Sequence, residues 1–245
     1  MRIVHVIPSL DPADGGPPVV AERLGAAQAA AGAEVAILFG HRPGAAQRIA
    51  AALGEVPGAG RLRLIEIEGP PARGLTDRRA VAALEREIRA GLDVAHVHGI
   101  WRATLAGAAV ACQRAGTRYV IAPHGMLDPW SMRQRGVRKR IAMALLWRRL
   151  LRGAAFIHAL NQDEADLMPR GLGPTKIIPN GIFIEEFENL PSPGSFRREH
   201  PELGDDPYIL FLGRLHYKKG LDLLAPAFAR ALQVVPQSRL VVAGP

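Results

Sequence analysis

From its second residue the chain alternates short apolar runs with helical patterns, and that rhythm confines it to a parallel α/β architecture. Strands are expected near 2–7, 34–39, 62–67, 93–97, 118–122, 154–159 and 175–179. Helices are expected near 17–31, 43–53, 76–90, 102–115, 132–151 and 162–168. Runs such as RYVIAP and AAFIHAL lack the polar alternation of a half-exposed strand, as strands covered on both faces do. Parallel strands need crossovers, and right-handed crossovers set helices on both faces of an open, mostly parallel sheet. A closed eight-stranded barrel is the rival. It is disfavoured by a change of texture at 185–206, where EEFENLPSPGSFRREHPELGDD is polar and turn-rich. The expected organisation is a first α/β domain over 1–185, a linker over 186–206 and the start of a second domain over 207–245. That start reads as a strand at 207–212, a helix to about Val235 and a closing strand in RLVVAGP. Such a unit is shorter than the roughly 50 residues a free domain needs, so the second domain is expected to be incomplete.

With 245 residues and 48% hydrophobic content, one sizeable core is available. The single cysteine, Cys112, excludes an internal disulfide and fits a reducing compartment. The apolar start MRIVHVIPSL is broken at Pro8, too early for a signal peptide, and reads as a first core strand. No segment approaches the ~18 consecutive apolar residues of a membrane span. A cytoplasmic chain is expected, with the inner face of the membrane as a candidate peripheral location. The net charge of +8 is concentrated: residues 133–152 carry eight basic residues and no acidic one. The remainder of the chain is therefore neutral overall.

Candidate chemistry collects where strands end. Gly15 and Gly16 stand between the first strand and its helix, and Pro17 and Pro18 suit a first helical turn. Paired glycines allow close backbone approach, and a helix start favours an anion; a plain tight turn is the alternative. The pattern is neither GxGxxG nor a Walker loop. His96 and His98 lie in HVHG at the end of the fourth strand, where an alternating pair can share a face and bind zinc. No nearby residue in sequence completes a tetrahedral set, so no metal is expected. His124 and Gly125 follow the fifth strand in PHGMLDPW. Ligands in open α/β sheets collect at the carboxyl ends of strands, and the three glycine-bearing turns share that edge. An imidazole at 124 can bond a hydroxyl or support a polar transition state. Asp128 can receive another hydroxyl or cap the next helix. Asn180 and Gly181 in IIPNGI suit turn chemistry. In FLGRLHYKKG, Arg214, Lys218 and Lys219 at a glycine-bearing helix entrance can neutralise a diphosphate, or form a solvated basic loop. Asp163, Glu164 and Asp166 read as first-turn acids that complement a helix dipole.

Within 137–152 a broad apolar arc is bounded by arginines at both ends. Part of it can pack on the sheet while Arg148, Arg149, Arg152 and Trp147 meet an anionic membrane surface. A core helix with solvated charges is the plainer reading. A nucleic-acid partner is not expected, because helix-turn-helix spacing, zinc-finger spacing and RNA-binding aromatics are all lacking.

Taken in order, GG at 15–16, HVHG at 96–99, PHGMLDPW at 123–130, IIPNGI at 177–182 and FLGRLHYKKG at 211–220 resemble the GT4 family of retaining glycosyltransferases. The resemblance implies the GT-B fold, two facing Rossmann-like domains, of which 1–185 is the acceptor-side domain and 207–245 begins the nucleotide-sugar side. It implies transfer of a sugar from a nucleotide-sugar donor to a hydroxyl acceptor with retained configuration and no cofactor or bound metal. It places Gly15 and Gly16 against the donor phosphate and acceptor, and His124 at the transferred sugar. His98, Asp128 and Asn180 fall on the acceptor or sugar side, and Arg214 and Lys219 grip the diphosphate. The leaving phosphate oxygen is implied to help deprotonate the incoming hydroxyl. A lipid-linked or cell-envelope glycan is the acceptor that the basic helix suggests. The family's ExxxxxxxE motif would fall beyond Pro245, so residues 1–245 alone are expected to show little or no turnover. Two alternatives stand: a non-catalytic Rossmann-like binding or regulatory module, and a nucleotide-sugar epimerase of GT-B architecture.

Overall fold

The computed structural model describes residues 1–72, 74–216 and 219–244. Lys218 and the closing Pro245 lie outside the described residues. The chain forms two compact units, Met1–Phe183 and Ile184–Pro245.

The first unit is built on seven parallel strands: β1 (Arg2–Ile7), β2 (Glu34–Gly40), β3 (Arg63–Ile67), β4 (Val94–His98), β5 (Arg118–Ala122), β6 (Phe156–Ala159) and β7 (Thr175–Ile177). Their order is β3-β2-β1-β4-β5-β6-β7, so the winding direction reverses between β1 and β4. That doubly wound order excludes the closed barrel. The connecting helices are α1 (Gly16–Ala30), α2 (Ala46–Gly54), α3 (Arg78–Arg89) and α4 (Ala103–Ala115), followed by α5 (Pro129–Arg133), α6 (Gly136–Ala142), α7 (Arg148–Arg152) and α8 (Gln162–Leu167).

The pleat sorts the strand residues onto two faces of different chemistry. Val4, Val6, Ala36, Leu38, Ala95, Val97, Ile121 and Ile157 face α3, α4 and α7 in one apolar core. Alanines dominate α4, and a Cβ on Gly107 would come within 2.8 Å of the Asp77 backbone oxygen, so α3 and α4 pack at near backbone contact. On the opposite face Ile7, Ile37 and Phe39 pack with Ala21 of α1 and Ile49 of α2. That second face also carries a row of histidines. Free Cys112 is buried in α4.

The helix expected over 132–151 divides. Arg135 takes a left-handed conformation, φ 55°, and separates α5 from α6. From Gly136 the helical path runs unbroken to Arg152, with a π turn at Met143–Trp147 between α6 and α7. A π turn admits an extra residue; here Met143, Trp147, Leu150 and Leu151 all reach the core.

In the second unit a parallel pair, β8 (Tyr208–Leu212) and β9 (Arg239–Ala243), is joined through α10 (Leu221–Ala231) and preceded by the short α9 (Ser195–Glu199). Helix α10 stops at Ala231, ahead of the Val235 expected from sequence.

Candidate active site

Because β1, β4 and β5 are adjacent and parallel, their carboxyl ends open onto one edge, at the reversal of winding. Crevices outside such reversals receive ligands. Backbone strain gathers there too. Gly15 has φ 105° and ψ −143°, a region open to glycine alone, while Trp101 (φ 73°) and His124 (φ 52°) are two of the three non-glycine residues with positive φ among the described residues. Left-handed backbone at a bulky residue costs on the order of 1 kcal/mol or more and persists where the surroundings enforce it.

Three contacts enforce it at His124. The Gly99 N–H donates to the Ala122 carbonyl at 2.7 Å, and Trp101 Nε1 donates to the Met126 carbonyl at 3.3 Å, stitching the loops after β4 and β5 together. The Gly125 N–H donates to Glu164 Oε1 at 2.6 Å. Glu164 Oε2 meanwhile accepts from the Leu160 N–H at 2.7 Å. The expected capping role of Glu164 therefore holds only for one oxygen, and the other anchors the His124-Gly125 loop from 39 residues away.

The turn before α1 has its own brace. Buried Asp11 accepts from the Ala13 N–H and takes both Arg48 Nε (3.0 Å) and Nη2 (2.5 Å). Its carboxyl is held down at about 2, chiefly by Arg48. Gly16 is the first helical residue, so Pro17 and Pro18 occupy the next two positions and remove two of the free N–H groups of the helix start. The expected anion site thus rests on fewer amides than a bare helix start offers. A Cβ on Gly16 would meet nothing within 4 Å, so the backbone there stands open to approach.

The least anticipated feature is the histidine row. His5 on β1 pairs in register with His96 on β4, and small Val120 and Ala122 on β5 leave room for rings to lean across the sheet. His5 Nε2 meets Gln28 Oε1 at 2.7 Å, His5 Nδ1 meets His98 Nε2 at 2.8 Å, and His98 Nδ1 meets His124 Nε2 at 3.1 Å. A second chain joins His96 Nε2 to His158 Nδ1 at 3.2 Å and His158 Nε2 to the Ile178 carbonyl at 2.7 Å. Burial lowers His5 to about 4, against the opposing Gln28 bond. Burial, with nearby His158 second, lowers His124 to about 4. His96 and His98 are held well below the ordinary imidazole range, again by burial first.

This geometry corrects the expectation that no third group joins His96 and His98. His5, His96 and His98 bring ligand nitrogens within 4.8 Å of one another. Within that cluster His5 Nδ1 and His98 Nε2 lie 2.8 Å apart and share a hydrogen bond. The cluster is satisfied as a hydrogen-bonded network.

Other expected positions are also revised. His98 is buried with both ring nitrogens engaged, so it reaches a ligand only through His124. Asp128 is the N-cap of α5, its Oδ1 accepting from the Ser131 N–H at 2.5 Å, which realises the capping alternative. Asn180 is exposed, three residues past β7 on the same carboxyl edge. Trp147, expected at a lipid surface, is 3% exposed and packs edge-on against Trp101. Arg148, Arg149 and Arg152 are all exposed, and the Arg152 guanidinium also donates to the Gly171 carbonyl, tying down the loop before β7. In the second unit Arg214 follows β8, and the Lys219 N–H donates to the His216 carbonyl just before the α10 N-cap, Gly220.

A doubly wound parallel sheet with a glycine-led helix start and strained loops along one carboxyl edge defines a Rossmann-like domain. The chain belongs to the glycosyl transferase 4-like domain family, whose model matches residues 15–181. It is 29% identical over 136 residues to the GDP-mannose-dependent alpha-(1-6)-phosphatidylinositol monomannoside mannosyltransferase of Mycolicibacterium smegmatis, covering 54% of this chain and 34% of that protein. Its fold superposes on Anabaena HepE, solved with UDP, at TM-score 0.68 and 18% identity, over 99% of this chain and 60% of HepE. The UDP-GlcNAc 2-epimerase of Neisseria meningitidis, solved with UDP-GlcNAc, superposes at TM-score 0.55 and 13% identity, over 99% and 65%. Both likenesses are of fold.

Proposed function

We propose that the chain supplies the sugar-handling part of a retaining glycosyltransferase, which moves a sugar from a nucleotide-sugar donor to a hydroxyl acceptor. One observation carries the reading: the Gly15-Gly16 turn, Gly99 and the His124-Gly125 pair share a carboxyl edge at the winding reversal of a glycosyl transferase 4-like chain. An uncharged His124 suits a sugar hydroxyl, and the α1 start suits a phosphate. In this reading 207–245 opens the nucleotide-sugar side, with Arg214 and Lys219 gripping the diphosphate. The bond from sugar to phosphate breaks with its electron pair leaving on phosphate. A phosphate oxygen takes the hydroxyl proton, and the acceptor oxygen bonds the same face of the sugar.

The acceptor in this reading is a lipid-linked or cell-envelope glycan, reached from an anionic membrane surface. Val137 (62% exposed), Ile141 (54%) and Leu145 (67%) recur at every fourth position along the helical path of α6 and its π turn, among exposed Arg138, Arg140, Arg148 and Arg149. Beside them lies a groove of about 630 Å³ lined by Leu75, Leu145 and Leu146 together with Arg78, Arg114 and Arg149. Apolar side chains at this spacing enter a bilayer interface while arginines meet lipid phosphates. No helix of the described residues is long and apolar enough to cross a membrane.

The test incubates the longest natural form of the protein with UDP- and GDP-hexoses, with and without lipid-extracted acceptors. Acceptor-dependent release of nucleoside diphosphate and a product of unchanged anomeric configuration are expected. Interconversion of the donor without acceptor would instead mark an epimerase. Binding with no turnover would mark a regulatory module.

A further inference from the structure

The hydrogen bonds behind His124 have a direction, and it fixes which nitrogen faces the site. Gln28 Oε1 accepts, so His5 Nε2 carries the proton and His5 Nδ1 keeps a lone pair. That lone pair must receive from His98 Nε2, which leaves His98 Nδ1 as an acceptor. His98 Nδ1 in turn receives from His124 Nε2. The His98 and His124 rings are nearly parallel, 11° apart, and the His5 and His98 rings are 27° apart. Each imidazole is neutral, so each can donate through only one nitrogen, and every donation runs inward from the sheet edge to α1. A Cβ at Gly25 would meet Leu62 Cδ2 at 3.3 Å and lie in ordinary contact, 3.6 Å, with His5 Cδ2, so α1 runs close against β1 one turn before Gln28.

We infer that Gln28, His5 and His98 are positioning residues, which hold His124 as its Nε2–H tautomer and turn Nδ1 outward as a lone-pair acceptor for a sugar hydroxyl. This rests on the transferase reading for the identity of the hydroxyl and on geometry alone for the tautomer. A ring presented this way recognises neutral hydroxyl donors. It offers no proton to a phosphate, which falls instead to the α1 start. Nor does the network act as a proton wire, since Gln28 cannot take a proton and the terminal His5 is buried.

The test is nitrogen-15 correlation spectroscopy on histidine-labelled protein at neutral pH, with His124 assigned through His124→Asn. Protonated and bare ring nitrogens resonate far apart, so each tautomer is read directly. The wild type is expected to show Nε2–H on His5, His98 and His124. Gln28→Leu removes the acceptor, and an orphaned buried N–H is costlier than an orphaned lone pair. The chain should then reverse, with His124 gaining Nδ1–H and, in the transfer assay, kcat/KM falling about tenfold. Nδ1–H on wild-type His124, or an unreversed His124 in folded Gln28→Leu, overturns the inference. Should Gln28→Leu fail to fold, the wild-type spectrum still decides. Tautomers as expected in a protein without any turnover would count against the transferase reading alone.

Discussion

Glu22 holds the one buried side-chain polar atom without a hydrogen-bond partner among the described residues, its Oε1. Burial raises this carboxyl to about 7. A carboxyl raised in the fold is stabilising below its unfolded value and loses that contribution as pH rises through the folded one. Glu22→Gln is therefore expected to raise the melting temperature at pH 8 and to change it little at pH 5, as read by circular dichroism. Equal effects at both values would contradict the burial argument. At this scale the sequence discloses residues whose neighbours in the chain advertise them. His98 and His124 each precede a glycine just past an apolar run, so their place at the sheet edge is readable. His5 is a lone histidine within a core strand, and its partner His98 is 93 residues away. Gln28 looks like any polar residue of an alanine-rich helix. The Asp11–Arg48 brace, separated by 37 residues, is hidden for the same reason.

Among the elements, the basic helical path from Gly136 to Arg152 separates packing from surface chemistry most cleanly. Trp147 and Leu145 both lie in the π turn, yet one is buried and the other is 67% exposed. Trp147→Ala should lower stability by about 3–5 kcal/mol in denaturant unfolding, from lost burial and the cavity left behind. Leu145→Ser should leave stability unchanged within about 0.5 kcal/mol. Combined with Ile141→Ser and Val137→Ser, it should reduce sedimentation with phosphatidylglycerol vesicles several-fold, while uncharged vesicles bind neither form. Undiminished association in the triple variant would remove the case for a membrane-facing helix. The apolar arc was legible in sequence, but its division between core and surface was not. An ideal 3.6-residue period assigns Trp147 differently from a path containing a π turn, and a left-handed Arg135 has no sequence signature.

On the scale of the whole molecule, burying a row of imidazoles ties stability to pH. His5 and His124 fall from an ordinary 6.5 to about 4. Between these values the unfolded chain binds more protons than the fold, so stability is full above about 6.5 and declines as pH falls towards 4. Each of the two contributes roughly 3 kcal/mol of loss at pH 4. His96 and His98 act in the same direction, and Glu22 opposes them over an overlapping range. A urea midpoint that drops steeply between pH 6.5 and 4 is expected, and a flat profile would contradict a neutral buried row. The parallel sheet and the positions of all seven strands of the first unit could be read from apolar runs alone. Strand order could not, since pairing β1 between β2 and β4 is a choice of crossovers that spacing leaves open. That choice is what gathers the three glycine-bearing turns on one edge.

The most direct test of this sugar-handling edge is the kcat/KM of His124→Ala in the longest natural form of the protein, measured by acceptor-dependent release of nucleoside diphosphate. A fall of about a hundredfold or more, in protein that remains folded by circular dichroism, is predicted. Turnover equal to the wild type would contradict the account.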